Sequence, residues 1–221
     1  MSEELTFEVP GSGRVSALLD HPPGATLGYV LAHGAGAGMR HPFLEAVAQR
    51  LAARGVATLR YQFPYMEAKR RRTDTPAVAT AAVRAAVAEA CVRVPLLPLI
   101  AGGKSFGARM TSTAAALEPL PNVRGLAFLG FPLHPPGKPA ASRAEHLERV
   151  TVPMLFLQGT RDEFADLERL EPIVNRLGKR ATLHLVEGGD HSFGVLKRSG
   201  RTRDEVLDEL AAAVSGWAAG L

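Results

Sequence analysis

The chain has 221 residues, of which 46% are hydrophobic, a composition that predicts a single domain, 1–221, with a well-buried core. Its one cysteine, Cys91, excludes an internal disulfide, and its longest apolar stretch, 94–101, holds two prolines and falls far short of the roughly 20 residues that cross a bilayer. The formal net charge is +4, the acidic start has no basic-then-apolar signal pattern, and we expect a cytoplasmic protein with no membrane partner.

The predicted elements alternate between strands and helices along the chain. Residues 5–9 and 15–20 flank Pro-Gly-Ser-Gly and predict an antiparallel hairpin at a sheet edge. Apolar runs predict further strands at 27–32, 56–61, 96–101, 123–129, 154–157 and 182–186. Helices are predicted at 42–53, 77–92, 106–117, 163–177 and 204–219, the second of them capped by Thr75. This alternation predicts the α/β class, with a mostly parallel, doubly wound sheet covered by helices on both faces.

The pattern Gly103-x-Ser105-x-Gly107 joins the predicted strand 96–101 to the predicted helix 106–117. A serine between two glycines at such a junction can occupy the strained turn that lifts its hydroxyl above a parallel sheet. The glycines matter because a Cβ at either position would collide with the neighbouring strand and helix. Ser105 is therefore a candidate nucleophile, and a simple helix N-cap is the alternative interpretation.

Two later strands end in loops that carry a candidate acid and a candidate base. Asp162 follows the strand 154–157, and His191 follows the strand 182–186. In an open α/β sheet, functional groups collect beyond the carboxyl ends of the strands, and the chain order Ser, Asp, His is that of a known hydrolytic triad. Glu163 and Asp166 compete for the role of the acid, and placement at the strand end favours Asp162.

The glycine-rich loop 33–38 follows the first buried strand and reads His-Gly-Ala-Gly-Ala-Gly. Glycines let the main chain approach a reacting carbonyl without obstruction by side chains. We expect Gly34 or Ala35 to donate one backbone N–H to an oxyanion hole. The second donor is expected to be Phe106, the residue after the candidate nucleophile.

Counting positions excludes other kinds of site. A phosphate-binding loop needs glycine five positions before Gly103, where the chain has Pro98. A dinucleotide fingerprint that starts at Gly34 needs glycine where the chain has Met39. The seven histidines show no His-x-His or His-Glu-x-x-His spacing, so we expect no metal and no cofactor.

With these residues in place, the chain from about residue 27 to its C-terminus resembles an α/β-hydrolase. More narrowly, it is similar to small hydrolase-like proteins whose bacterial members are often labelled dienelactone-hydrolase-like. Their eukaryotic relatives include testis-expressed proteins and a subunit of a nonspecific-lethal histone-acetyltransferase complex. The similarity is carried by the strings AHGAGAG, RYQFPYME, GGKSFGAR, FLGFPLHPPGKP, LQGTRDEF and GGDHSF.

The resemblance implies the fold and a catalytic triad of Ser105, Asp162 and His191, and it implies little about the substrate. Dienelactone hydrolases use a cysteine nucleophile, so the serine at 105 argues against carrying their substrate over. The triad indicates hydrolysis of a small ester or thioester through an acyl-enzyme. A non-catalytic interaction module is the alternative, because a fold alone does not guarantee turnover.

No sequence motif identifies the substrate-binding residues as the Gly-x-Ser-x-Gly pattern identifies the candidate nucleophile. The segment 131–150 is too short for a large cap, so we expect an open site edged by Phe131 and His134, with Tyr65 in another apolar wall. Packing of these side chains in the core is the alternative. Basic stretches at 69–72 and 197–203 would attract an anionic substrate if both leave from the edge of the site, but a simply solvated basic surface is the preferred interpretation. Neither stretch has interleaved aromatics, so no nucleic-acid partner is expected.

Overall fold

The computed structural model describes residues 2–135, 137–138 and 140–221, and its core is a sheet of eight strands in the order β1-β2-β4-β3-β5-β6-β7-β8. β1 and β2 form an antiparallel hairpin, β2 pairs antiparallel with β4, and the strands from β3 to β8 run parallel. The predicted mostly parallel sheet is confirmed. The strands are β1 (Glu3–Val9), β2 (Gly13–Asp20), β3 (Leu27–Ala32), β4 (Val56–Tyr61), β5 (Leu99–Lys104), β6 (Val123–Leu129), β7 (Met154–Gly159) and β8 (Ala181–Val186).

Helices cover both faces of this sheet, as the doubly wound pattern predicts. Successive side chains of a strand point to opposite faces, so Tyr29 and Leu31 of β3 enter one core while Val30 and Ala32 enter the other. The first core is closed by α1 and α6, and the second by α3, α4 and α5. No described helix is long and apolar enough to span a membrane. The helices are α1 (Pro42–Ala52), α2 (Pro64–Glu67), α3 (Pro76–Arg93), α4 (Phe106–Leu117), α5 (Leu167–Leu177) and α6 (Arg203–Ala218).

The strand before the candidate nucleophile lies three residues later than predicted. Leu96, at the start of the predicted strand 96–101, is 93% exposed, and β5 runs from Leu99 to Lys104. The predicted strand followed the apolar run, which ends at residue 101, and glycine normally weakens a strand. In the structure a Cβ on Gly103 would lie 2.2 Å from the carbonyl oxygen of Ala32, so glycine allows β3 to approach β5 this closely.

The helix after β7 begins later than predicted. α5 starts at Leu167 rather than at residue 163, and Asp166 caps it by accepting a hydrogen bond of 3.0 Å from the N–H of Arg169. The residues before the cap form a turn, in which the N–H of Ala165 donates to the carbonyl of Asp162 at 3.3 Å. This turn leaves Asp162 in the loop at the end of the strand.

The parallel strands place their loops along one edge of the sheet. The chain goes from β3 outward to β4 and then returns past β3 to β5, so the order of the strands reverses between β3 and β5. Ligands of open α/β sheets bind outside the carboxyl ends of the strands at such a reversal. Between β6 and β7 the described residues contain one short helical element, the 3-10 helix Ser142–Arg149, and no cap domain. Pro136 and Pro139 of this segment lie outside the described residues.

Candidate active site

Ser105 occupies a strained turn between β5 and α4. Its backbone has φ +50° and ψ −109°, a conformation that L residues rarely adopt and that costs about 1–3 kcal/mol. The next turn of chain is equally tight, because a Cβ on Gly107 would lie 2.7 Å from both the Cβ and the carbonyl oxygen of Ala32. The two flanking glycines thus permit the geometry that holds the Ser105 side chain above the sheet edge.

A continuous line of hydrogen bonds joins Ser105, His191 and Asp162. The His191 Nε2 lies 2.8 Å from the Ser105 Oγ, and its Nδ1 lies 2.7 Å from the Asp162 Oδ2. An ionised carboxylate only accepts hydrogen bonds, so the proton belongs on Nδ1, and Nε2 is left to accept from the hydroxyl. This tautomer is the one that a base acting on the Ser105 hydroxyl requires.

Asp162 is fixed by more than its contact with the imidazole. Its side chain is fully buried, and the Gln158 side-chain amide donates to Oδ2 at 2.5 Å. The N–H of Phe164 donates to Oδ1 at 2.8 Å. The competing acids lie elsewhere, because Glu163 is exposed and Asp166 caps α5. Gln158 was missed by the sequence analysis, since a glutamine inside a buried strand gives no motif.

The loop that carries His191 is tightly organised. The Phe164 ring stacks on the imidazole with centroids 4.1 Å apart. Asp190 serves the turn, because its Oδ1 accepts hydrogen bonds of 2.8 Å from the N–H groups of Ser192 and Gly194. The stacking contact holds the face of the His191 ring, and the hydrogen bonds of Asp190 fix the loop that carries it.

The glycine loop after β3 lies against Ser105 and is held by two buried side chains. A Cβ on Gly34 would lie 3.8 Å from the Ser105 Cβ. The His33 Nδ1 lies 2.7 Å from the Gly34 carbonyl oxygen, and its Nε2 accepts from the N–H of Phe63 at 3.1 Å. The Tyr65 hydroxyl accepts from the N–H of Gly36 at 2.9 Å. The loop therefore depends on the segment that follows β4.

Burial fixes the protonation state of His33. It lowers the pKa of His33 to about 4, although the hydrogen bond with Gly34 opposes this shift. The ring is therefore neutral at neutral pH, with Nδ1 as the donor and Nε2 as the acceptor. The sequence gives no signal for the role of His33, because its partners are main-chain groups that leave no pattern.

A cavity of about 300 Å³ opens beside the Ser105 hydroxyl. Phe43, Leu44 and Phe164 give it apolar walls, and Arg203 adds a positive charge where α6 begins. Of the two basic stretches, 197–203 thus reaches the cavity. The 69–72 stretch borders a different cleft, where Arg70 pairs with Asp74 at 2.8 Å.

The structure corrects the expectation that Tyr65, Phe131 and His134 edge this cavity. All three are buried, and none is among the residues that line it. Phe131 packs on Phe156 with ring centroids 5.8 Å apart, and His134 lies with its Nε2 3.4 Å from the Asp166 Oδ2. Tyr65 supports the glycine loop instead. Aromatic residues that follow strands fill the base of these loops, so packing in the core was the correct alternative.

Within the described ranges no three His, Cys, Asp or Glu side chains are grouped as metal ligands. The hydrogen-bonded line and the two backbone segments beside it contain the groups needed for acyl transfer: a hydroxyl, a base, a buried carboxylate and nearby main-chain N–H groups. Phe106, the first residue of α4, directly follows Ser105, and Gly34 and Ala35 line the cavity together with Ser105.

Solved structures with the same fold include several hydrolases. A serine hydrolase without a lid from Xanthomonas campestris is 22% identical, with 98% of this chain and 94% of that chain covered and a TM-score of 0.76. A dienelactone hydrolase from Anabaena variabilis is 21% identical, with 98% and 96% covered and a TM-score of 0.76. The esterase domain of a Rhodothermus marinus protein is 16% identical, with 99% and 98% covered and a TM-score of 0.73. At these identities the similarity establishes the fold.

A family model described as an alpha/beta hydrolase domain matches residues 25–219. This range contains β3 to β8, the loop that carries Gly34, and the loops that carry Ser105, Asp162 and His191. The match therefore covers the whole parallel part of the sheet and its site. The chain belongs to the alpha/beta hydrolase family.

Proposed function

We propose that this protein is a serine hydrolase that cleaves small esters or thioesters through an acyl-enzyme. The observation that carries the proposal is the hydrogen-bonded line from the Ser105 Oγ through His191 to the buried Asp162. This line starts on a strained residue at the carboxyl edge of the sheet and opens into a cavity. A protein that used the fold only as a scaffold would need none of these three features.

In the proposed reaction, the Ser105 Oγ attacks the acyl carbon while the His191 Nε2 takes the hydroxyl proton. Asp162 keeps the ring in the required tautomer and stabilises the imidazolium that forms. The negative charge on the carbonyl oxygen accepts hydrogen bonds from the N–H of Phe106 and from that of Gly34 or Ala35. The C–O or C–S bond to the leaving group then breaks, and the leaving group takes the proton from Nε2.

Water completes the cycle. A water molecule gives a proton to the His191 Nε2 as its oxygen attacks the acyl carbon, and collapse of the second tetrahedral intermediate breaks the bond to Ser105. The proton on Nε2 returns to the Ser105 oxygen, and a carboxylic acid leaves. Each half of the reaction uses the same base and the same N–H donors, so no further group is required.

The cavity supports a small and partly apolar substrate. Its volume of about 300 Å³ and its Phe43, Leu44 and Phe164 walls suit a short acyl chain. Arg203 is exposed at its mouth and makes no ion pair with any described residue. The arginine therefore favours a substrate that carries a negative charge at the end remote from the scissile bond.

The test is hydrolysis of p-nitrophenyl esters with acyl chains of two to eight carbons by the purified protein. We expect activity with the shorter esters and a loss of about 10⁴-fold or more in kcat for Ser105→Ala. Ser192→Ala is the matched control, because Ser192 lines the same cavity beside His191 and is expected to retain activity. Equal activity of Ser105→Ala and the wild type contradicts the proposal. Absence of hydrolysis across esters and thioesters favours a non-catalytic interaction module.

A further inference from the structure

Lys104 is a half-buried residue with a buried charged end, and the proposed reaction does not use it. It is the last residue of β5 and directly precedes Ser105. Lys104 lines the cavity, and a Cβ on Gly34 would lie 3.5 Å from its Cγ. Its Nζ is buried and has no hydrogen-bond partner among the described residues. A buried ammonium without direct partners is costly, so its surroundings must compensate the charge.

The compensation comes from the carboxylates of the same site. A Cβ on Gly130, the residue after β6, would lie 3.0 Å from the Lys104 Nζ and 3.6 Å from the Asp162 Oδ2. The ammonium and this carboxylate therefore border one small space that only glycine leaves open. The Phe193 ring lies on another side, with its centroid 5.7 Å from Nζ. Burial lowers the pKa of Lys104 to about 8, and the charges of Asp162 and Asp190 oppose the shift.

We propose that Lys104 is a positioning residue whose buried ammonium balances the Asp162 and Asp190 carboxylates and thereby sets the basicity of His191. The inference rests on the proposed function only in treating His191 as the base. The electrostatic effect itself requires no turnover.

The sign of the effect follows from the charges that face the imidazole. Asp162, from the loop after β7, attracts a proton to the ring through a direct contact of 2.7 Å. Asp190 lies in the ring's own loop, and the exposed Arg203 and His41 border the cavity from the starts of α6 and α1. Lys104 is the cation of this set whose charged nitrogen is buried, so solvent screens its charge only weakly. Its charge therefore opposes protonation of His191 and keeps the ring a free base to lower pH.

The test is an NMR titration of the His191 ring in the free protein, with Lys104→Met compared with the wild type. Methionine keeps the apolar stem and removes the charge, so we expect the His191 titration midpoint to move up by about one pH unit. Lys104→Arg keeps the charge and is expected to restore a midpoint close to that of the wild type. Lys179→Met is the matched control and is expected to leave the His191 midpoint unchanged. Lys179 is exposed and precedes β8, whereas His191 follows the other end of that strand.

An unchanged midpoint in Lys104→Met overturns the inference, as does an equal upward shift in Lys104→Arg. The wild type alone provides a second test, because loss of the Lys104 proton must produce a second inflection of the His191 resonances at the pH where Lys104 itself titrates. His191 resonances that do not change over the pH range in which the Lys104 ε-methylene resonances titrate contradict the inference even if a variant fails to fold. Ester hydrolysis measured on the same samples separates the two proposals: a shifted midpoint without turnover refutes the function and leaves the electrostatic role.

Discussion

The loops after β3 and β8 each contribute a histidine to the same site, and the two rings are held in opposite ways. His33 is fully buried, and both of its ring nitrogens are bonded to the main chain, at Gly34 and Phe63. The side chain of His191 is 18% exposed, and its ring lies between a carboxylate and a hydroxyl at the cavity. The His33 ring is held neutral by burial, whereas in the proposed reaction the His191 ring takes and returns a proton. The partners of a histidine, rather than its residue type, decide between support and proton transfer.

Replacing His191 is expected to have the largest effect on activity. In His191→Gln, no base remains to take the hydroxyl proton, and kcat is expected to fall by about 10⁴-fold or more. The ring is partly exposed, so thermal unfolding should remain close to that of the wild type. Steady-state kinetics measure the fall in kcat, and calorimetry measures the thermal stability. A loss of stability as large as that expected for His33→Phe would mean that His191 has a structural role like that of His33.

Replacing His33 is expected to lower both activity and stability. In His33→Phe, the Phe63 N–H and the Gly34 carbonyl lose their partners in the core, at a cost of about 1–3 kcal/mol each. The released glycine loop presents its N–H less accurately, and the loss in kcat is expected to be about 10²-fold. Urea unfolding and ester hydrolysis measure the two effects. Full activity in a well-folded variant would show that the loop does not depend on this ring.

Replacing Tyr65 also tests the support of the glycine loop, and its effect is expected to be smaller than that of replacing His33. Tyr65→Phe removes one acceptor, for the N–H of Gly36, and leaves the packing of the ring intact. We expect a loss of about 1–2 kcal/mol in stability and of roughly tenfold in kcat. A change in KM alone, with kcat unchanged, would instead support the earlier assignment of Tyr65 to substrate binding.

The stability of the protein is expected to depend on pH through His33. Burial lowers its pKa from 6.5 to about 4, so the unfolded chain binds more protons between these two values. Stability is therefore retained above pH 6.5 and falls as the pH decreases toward 4. His146, whose pKa is also lowered to about 4 by burial and by Arg149 and Arg109, adds a second contribution.

The His33→Phe variant separates these two contributions. Removing one titrating group should reduce the slope of unfolding free energy against pH by at most about 1.4 kcal/mol per pH unit between pH 6.5 and 4. Urea melts at four pH values measure the slope. An identical slope in the variant and the wild type would mean that His33 is not the buried neutral group described above.

The sequence predicted those parts of the site that depend on local pattern. Ser105, Asp162 and His191 each follow a strand, and the parallel direction of the strands alone placed them on one edge. His33 accepts a hydrogen bond from the main chain of Phe63, and Gln158 accepts one from the main chain of Phe131, and such contacts between distant segments appear only once the strands are packed. The burial of Lys104 likewise depends on Gly130, which belongs to another strand end. The end of β5 was misplaced because the close approach of β3 requires glycine at Gly103, where the weak strand preference of glycine argues against a strand.

The most direct test of the account is covalent labelling with a fluorophosphonate, followed by mass spectrometry of the peptides. The account predicts one adduct, on the Ser105 oxygen, formed at a rate that falls to background in His191→Gln and is reduced but measurable in His33→Phe. A protein that stays unlabelled, or an adduct on any other serine, would contradict the claim that His191 activates Ser105 as a nucleophile.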